Sequence, residues 1–177
     1  MACGGCCCDS TPISWVAYII SWVALPCGLV AIFTPYWNEQ SENVNTDFAG
    51  IFLQCKSISN CFSLSTVLEA YEGTDFYDYF IANLALQLIG LVALIVAVVL
   101  LSVYSCCLSN KYLAYVAIGF LLFAAGCIIA GATVYGVTLM DYYNATTTLS
   151  WSFGLDVACG GLSLVAGILM IVNSCCL

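Results

Sequence analysis

Phe33-Thr34-Pro35-Tyr36-Trp37, followed by Gly50-Ile51-Phe52-Leu53-Gln54-Cys55 and then Cys61, is the stretch on which the reading of this chain turns. It follows directly on an apolar run over 13–33, and further runs cover 80–104, 112–139 and 151–172. Apolar runs of about 20 residues are long enough to cross a bilayer as helices. Of the 177 residues, 63% are hydrophobic and 7% charged, whereas a soluble domain carries about a quarter charged residues. So few charges cannot cover a globular surface, and lipid is the expected solvent for most of the chain. The expected fold is an all-α transmembrane four-helix bundle with a small extracellular antiparallel β-sheet. It forms one domain over 1–177, with outer loops at 34–79 and 140–150. The first run has no basic residues before it and is long for the apolar core of a signal peptide, so it is read as a helix.

The net charge is −8, and the only bases are Lys56 and Lys111. Lys111 lies in the tight turn between the second and third runs, which places that turn, and with it both termini, in the cytoplasm. Asn144-Ala145-Thr146 is a glycosylation sequon in the last loop and agrees with that side being outside. A multi-pass protein of the plasma membrane is expected, with the bilayer as its first partner.

This topology divides the thirteen cysteines. Cys55 and Cys61 fall in the large outer loop, where an oxidising compartment favours a disulfide over free thiols. Cys27, Cys127 and Cys159 lie within helices. Cys3, Cys6, Cys7, Cys8, Cys106, Cys107, Cys175 and Cys176 gather at the cytoplasmic edge, the usual place for S-acylation. The alternatives there are reduced thiols or a metal site, since Cys3 and Cys6 have C-x-x-C spacing. Adjacent cysteines among glycines make a poorly fixed metal site, and no metal or other cofactor is expected.

The outer loop reads as strand, with Phe48, Ile51, Leu53 and Ile58 among polar residues and Gly50 allowing a bend. It is acidic, setting Glu39, Glu42, Asp47, Glu69, Glu72, Asp75 and Asp78 against Lys56. The readings are a solvated surface or an electrostatic lining that concentrates cations. Tyr71, Phe76, Tyr77 and Tyr79 read as an interfacial aromatic belt at the start of the second helix.

Within the bilayer, Asp156 stands near the outer end of the fourth run, with Asn83 and Gln87 at similar depth on the second. A buried acid in lipid costs several kcal/mol unless hydrated, paired or protonated. Asp156 is therefore expected either to face the bundle and bond to Gln87 or Asn83, or to snorkel to the interface. Small residues at four-residue spacing mark seams for helix packing, chiefly within the chain. These are Gly126/Ala130, Cys127/Gly131 and Ala132/Gly136 on the third run, with Gly154/Ala158 and Cys159/Ser163/Gly167 on the fourth. Pro26 is expected to kink the first helix. The chain has no His and no Arg, and no phosphate-binding loop or paired carboxylates in a pocket. This argues against an enzyme, and no nucleic acid or small-molecule substrate is expected.

These motifs resemble the claudin superfamily, which includes peripheral myelin proteins, epithelial membrane proteins and channel gamma subunits. Pro35-Tyr36-Trp37 is similar to the family's P-x-W after the first helix. Gly50 to Cys55 is similar to its G-L-W-x-x-C, with Phe52 where the family has Trp, and Cys61 closes the motif at a shorter spacing than usual. Asp141-Tyr142-Tyr143 resembles the family's ending of the third helix. The resemblance identifies the chain as a divergent member. It implies a left-handed bundle under a sheet of about five strands, with lateral assembly and contact between membranes. Two roles follow from it. One is cell-cell contact or a paracellular barrier, with itself or other claudin-like proteins as partners. The other is an auxiliary subunit docked on a larger ion channel or receptor.

Overall fold

The computed structural model describes residues 11–42, 45–56, 60–106, 111–142 and 147–175. Helix α1, Pro12–Phe33, opens on Thr11, whose hydroxyl accepts from the Ser14 N–H at 3.3 Å. Pro12 then occupies the first turn, where no backbone donor is needed. The helix runs continuously through Pro26. Four strands follow: β1 Asn38–Glu42, β2 Asn45–Ala49, β3 Leu53–Lys56 and β4 Asn60–Ser63. After them come a short helix α2, Leu64–Tyr71, and the long helices α3, Asp75–Cys106, and α4, Lys111–Thr133. A last strand β5, Thr147–Leu149, leads into α5, Trp151–Cys175.

The four long helices α1, α3, α4 and α5 are each long and apolar enough to cross a membrane. At ~1.5 Å per residue, even the 22 residues of α1 exceed the ~30 Å hydrocarbon thickness. They pack as a ring in which α1 lies on α5, α5 on α4 and α4 on α3, with α3 closing on α1 through fewer contacts.

The bundle is apolar on its outside as well as in its core, and polar side chains are buried inside it. The buried stripe of α1 is Ser14, Ala17, Ser21, Ala24, Gly28 and Ala31, while Ile19, Trp22 and Val30 face outward. On α3, Asn83 and Gln87 are fully buried while Val92 and Val99 are more than half exposed. Water would not tolerate so continuous an apolar surface. Lipid does, and leaves small residues to serve close helix contact. The chain is a multi-pass membrane protein.

The sheet has the order β4-β3-β2-β1-β5, all antiparallel, and lies at the end of the bundle where α1 ends and α3 and α5 begin. Between this sheet and the helix ends is a second apolar core of Ile32, Trp37, Ile51, Phe76, Phe80, Leu91, Tyr135 and Leu139.

Several expectations are corrected. The outer loop is not strand throughout, because Leu64–Tyr71 is helical and α3 begins at Asp75 rather than at residue 80. Asp75 and Asp78 sit in the first turn of α3, where acidic side chains favour the positive end of the helix dipole. Phe76 is core rather than interfacial belt, stacked on Phe80 at 5.9 Å, whereas Tyr71 and Tyr79 are exposed. The third span keeps regular α geometry only to Thr133, then continues as a π-helical turn, Val134–Thr138, and a 3-10 turn, Leu139–Tyr142. The β-branched residues and Gly136 of that segment are weak helix formers.

The small-residue seams also divide. Cys159, Ser163, Gly167 and Gly131 are buried, but Gly126, Ala130, Gly154 and Ala158 face outward. A Cβ at Gly160 would meet Ile129 Cγ1 at 2.8 Å, while one at Gly126 or Gly154 would meet nothing within 4 Å. Gly160→Val is therefore expected to destabilise the folded chain by about 1–3 kcal/mol through overpacking. Gly126→Val in the same detergent should leave its thermal unfolding midpoint nearly unchanged.

Candidate functional site

The sheet is attached to the helices through the five residues Phe33–Trp37, which cap two helices at once. The last carbonyls of a helix have no partner inside it, and near a membrane each must be satisfied. For α1, the Trp37 indole N–H donates to the Ala31 carbonyl at 2.6 Å, and the Thr34 N–H and hydroxyl both donate to the Val30 carbonyl. For α5, the Ser152 N–H donates to the Tyr36 carbonyl at 3.1 Å, and the Thr34 and Ser152 hydroxyls are 2.6 Å apart.

Trp37 also ties into the sheet. Its N–H donates to the Ala49 carbonyl at 3.1 Å, and its carbonyl accepts from Ser150 at 2.9 Å. Its ring is fully buried, edge-on to Tyr135 at 4.8 Å and to Phe153 at 5.8 Å. Gly50 lets the chain pass under this corner: a Cβ there would sit 2.4 Å from the Thr34 carbonyl and 2.7 Å from Pro35 Cα. Phe52 stacks on Phe33 at 5.5 Å, covering the end of α1. Pro35, Trp37, Gly50 and Phe52 thus form one joint.

Cys55 and Cys61 are bonded to each other, as partners facing across the β3–β4 hairpin. The bond is internal to that hairpin. It does not attach the sheet to the helix ends; Trp37 and its neighbours make that attachment.

The acidic side chains do not share one surface. Strand alternation puts neighbours on opposite faces. By register Glu39 lies on the face of Phe48 and Cys55, while Asp47 lies on the other face, opposite Lys56. The exposed group is Glu69, Glu72, Asp75 and Asp78, around the α2–α3 turn where Gly73 takes φ 80°. Glu42 ends β1, and its side chain lies outside the described residues, as does that of Cys106. Cys3, Cys6, Cys7, Cys8, Cys107, Cys176 and Asn144 also lie outside them, while Cys175 is exposed at the far end of α5.

Beneath the joint, three polar side chains meet inside the bundle. Asp156 is fully buried and does not reach the interface. Its Oδ2 accepts from Gln87 Nε2 at 2.7 Å, and the same nitrogen lies 3.4 Å from the Ile128 carbonyl. Asn83, one turn before Gln87 on α3, is likewise fully buried. Gly131 makes room for both amides, since a Cβ there would lie 2.8 Å from Gln87 Nε2 and 3.2 Å from Asn83 Oδ1. The place of Gly131 was not legible in the sequence, where it read only as half of a small-residue pair.

No protein-family model matches the chain.

Two measurements probe these arrangements. Trp37→Ala is expected to cost about 3–5 kcal/mol, as loss of a buried aromatic does. Joint replacement of Cys55 and Cys61 by Ala should cost about 2 kcal/mol, in line with a short closed loop. Thermal unfolding in detergent should therefore rank Trp37→Ala well below the double Ala variant. A double-mutant cycle of Asp156→Leu and Gln87→Leu should give a coupling of about 0.5–3 kcal/mol, each single change leaving a buried polar partner behind.

Proposed function

We propose that this protein is a divergent claudin-like component of cell-cell contacts in the plasma membrane. The sheet lies outside and both termini lie in the cytoplasm. The observation that carries this reading is the joint at Trp37, which holds a five-stranded sheet on the helix ends as one body. A rigid platform of this kind loses little conformational entropy when it meets a partner. The role is binding rather than catalysis.

Lateral assembly within the membrane is supported by Gly126/Ala130 and Gly154/Ala158, small pairs on the outward faces of α4 and α5. Such faces let a neighbouring helix approach closely. Glu69, Glu72, Asp75 and Asp78 lend the platform an exposed acidic rim that favours cations near it. On the cytoplasmic side the terminal cysteines, Cys175 among them, take S-acyl chains, and Asn144 is the candidate for a glycan outside.

A second reading, the auxiliary subunit, is favoured by an apolar groove of about 360 Å³ between α3 and α4, lined by Leu88, Ile89, Val92, Ala93, Val96, Phe120 and Phe123. A partner's transmembrane helix would fit such a groove.

Purification of the tagged chain from its own membranes in mild detergent separates the two. Self-association with other small four-span proteins is the expected result, and a large channel or receptor in fixed ratio would replace it with the second reading. In a cell layer expressing the chain, Glu69→Gln with Glu72→Gln is expected to lower cation over anion permeability. An unchanged ratio would remove the acidic rim from the mechanism.

A further inference from the structure

We propose that the buried cluster of Asn83, Gln87 and Asp156 is a binding site for a small monovalent cation of the sodium type. The inference stands apart from the junctional or auxiliary role, since it concerns the interior of the bundle and not the outer surface.

The first support is charge. Asp156 is the only charged residue away from the helix ends in the four described spans, and Lys111 opens α4 at the opposite end of the bundle. A buried carboxylate in a low-dielectric interior is costly, and either a proton on it or a cation beside it restores neutrality. One carboxylate balances one positive charge. A divalent ion would leave an excess charge buried in the bundle, which selects a monovalent one.

The second support is the inventory of polar atoms. Asp156 Oδ1, Gln87 Oε1 and Asn83 Oδ1 are all buried and have no hydrogen-bond partner among the described residues. These are three oxygens, one carboxylate and two amide carbonyls, the donor type that hard cations take. They come from two helices, α3 and α5. Asn83 Nδ2 is also without a partner, and a water completing the ion's shell supplies its acceptor.

The third support is the backbone. Gly131 lets α4 approach the two amides directly, since a Cβ there would lie 2.8 Å from Gln87 Nε2 and 3.2 Å from Asn83 Oδ1. The π-helical turn of α4 begins three residues later, at Val134. Such turns interrupt the regular helix ladder and accompany functional sites.

The test uses the full chain in detergent, with thermal unfolding followed as sodium chloride replaces choline chloride at constant ionic strength. A ligand that binds only the folded state raises the midpoint with its concentration. A rise of about 5 °C or more is expected as sodium saturates the site. Asn83→Leu and Asp156→Asn should each flatten that dependence, while Glu69→Gln on the outer rim should leave it intact. Equilibrium binding of radioactive sodium to the unaltered protein gives a readout that needs no variant to fold, with stoichiometric retention expected. A midpoint indifferent to sodium together with no retained sodium would overturn the proposal and leave Asp156 neutralised by a proton. Sodium dependence that survives Asp156→Asn would equally overturn it, by placing the ion elsewhere.

Discussion

The indole N–H of Trp37 reaches back to the Ala31 carbonyl at 2.6 Å, and the arrangement of the sheet follows from that contact. The end of a membrane helix leaves carbonyls without partners at a boundary where water is scarce. Thr34 and Trp37 satisfy the Val30 and Ala31 carbonyls of α1, while the Tyr36 carbonyl takes an N–H from the first turn of α5. Once Trp37 is seated, its own backbone bonds to Ala49 and Ser150 set where β2 ends and α5 begins. The aromatic faces of Tyr135 and Phe153 then close on its ring. One side chain thereby ties two long helices, the π-helical extension of α4 and the sheet into a single body.

The second organising feature is the apolar outside of the bundle. Its outside is Val, Ile, Leu and Phe, while its inside mixes small residues and apolar ones such as Leu94, Leu121 and Met170 with Ser21, Asn83, Gln87, Asp156 and Ser163. In lipid there is no hydrophobic drive to press helices together, so packing rests on close contact and on hydrogen bonds. The Gln87–Asp156 bond joins α3 to α5 past α4, at a level where Gly131 removes the obstacle. The buried apolar residues form two clusters, one in the bundle and one toward the sheet that extends down α3 to Leu91.

The disulfide has a narrower part than its position in the motif implies. It closes the β3–β4 hairpin at the sheet's edge, stiffening one unit without reaching a helix. An edge strand presents unpaired backbone groups, and a stiff one offers them in a defined register.

The sequence by itself determined the four spans, because runs as apolar as those in α1, α3, α4 and α5 have no stable place in water. It also determined the pairing of Cys55 with Cys61, since no other cysteine lies in the loop that carries them. It placed Asp156, Asn83 and Gln87 at one depth, because helical rise converts residue number into height. Tertiary structure alone decided which small-residue pairs pack inward, since spacing on one helix carries no information about the azimuth of its neighbours. For the same reason Gly126 and Gly131 look alike in the sequence and sit in opposite environments. The distribution of the acids was equally hidden: Glu39 and Asp47 belong to one acidic loop, but strand pairing sends them to opposite faces. The choice of Gln87 over Asn83 as the partner of Asp156 also needed three dimensions. Both amides lie on the buried face of α3, and only the placing of α5 across the bundle from α3 brings one of them within 2.7 Å of Asp156.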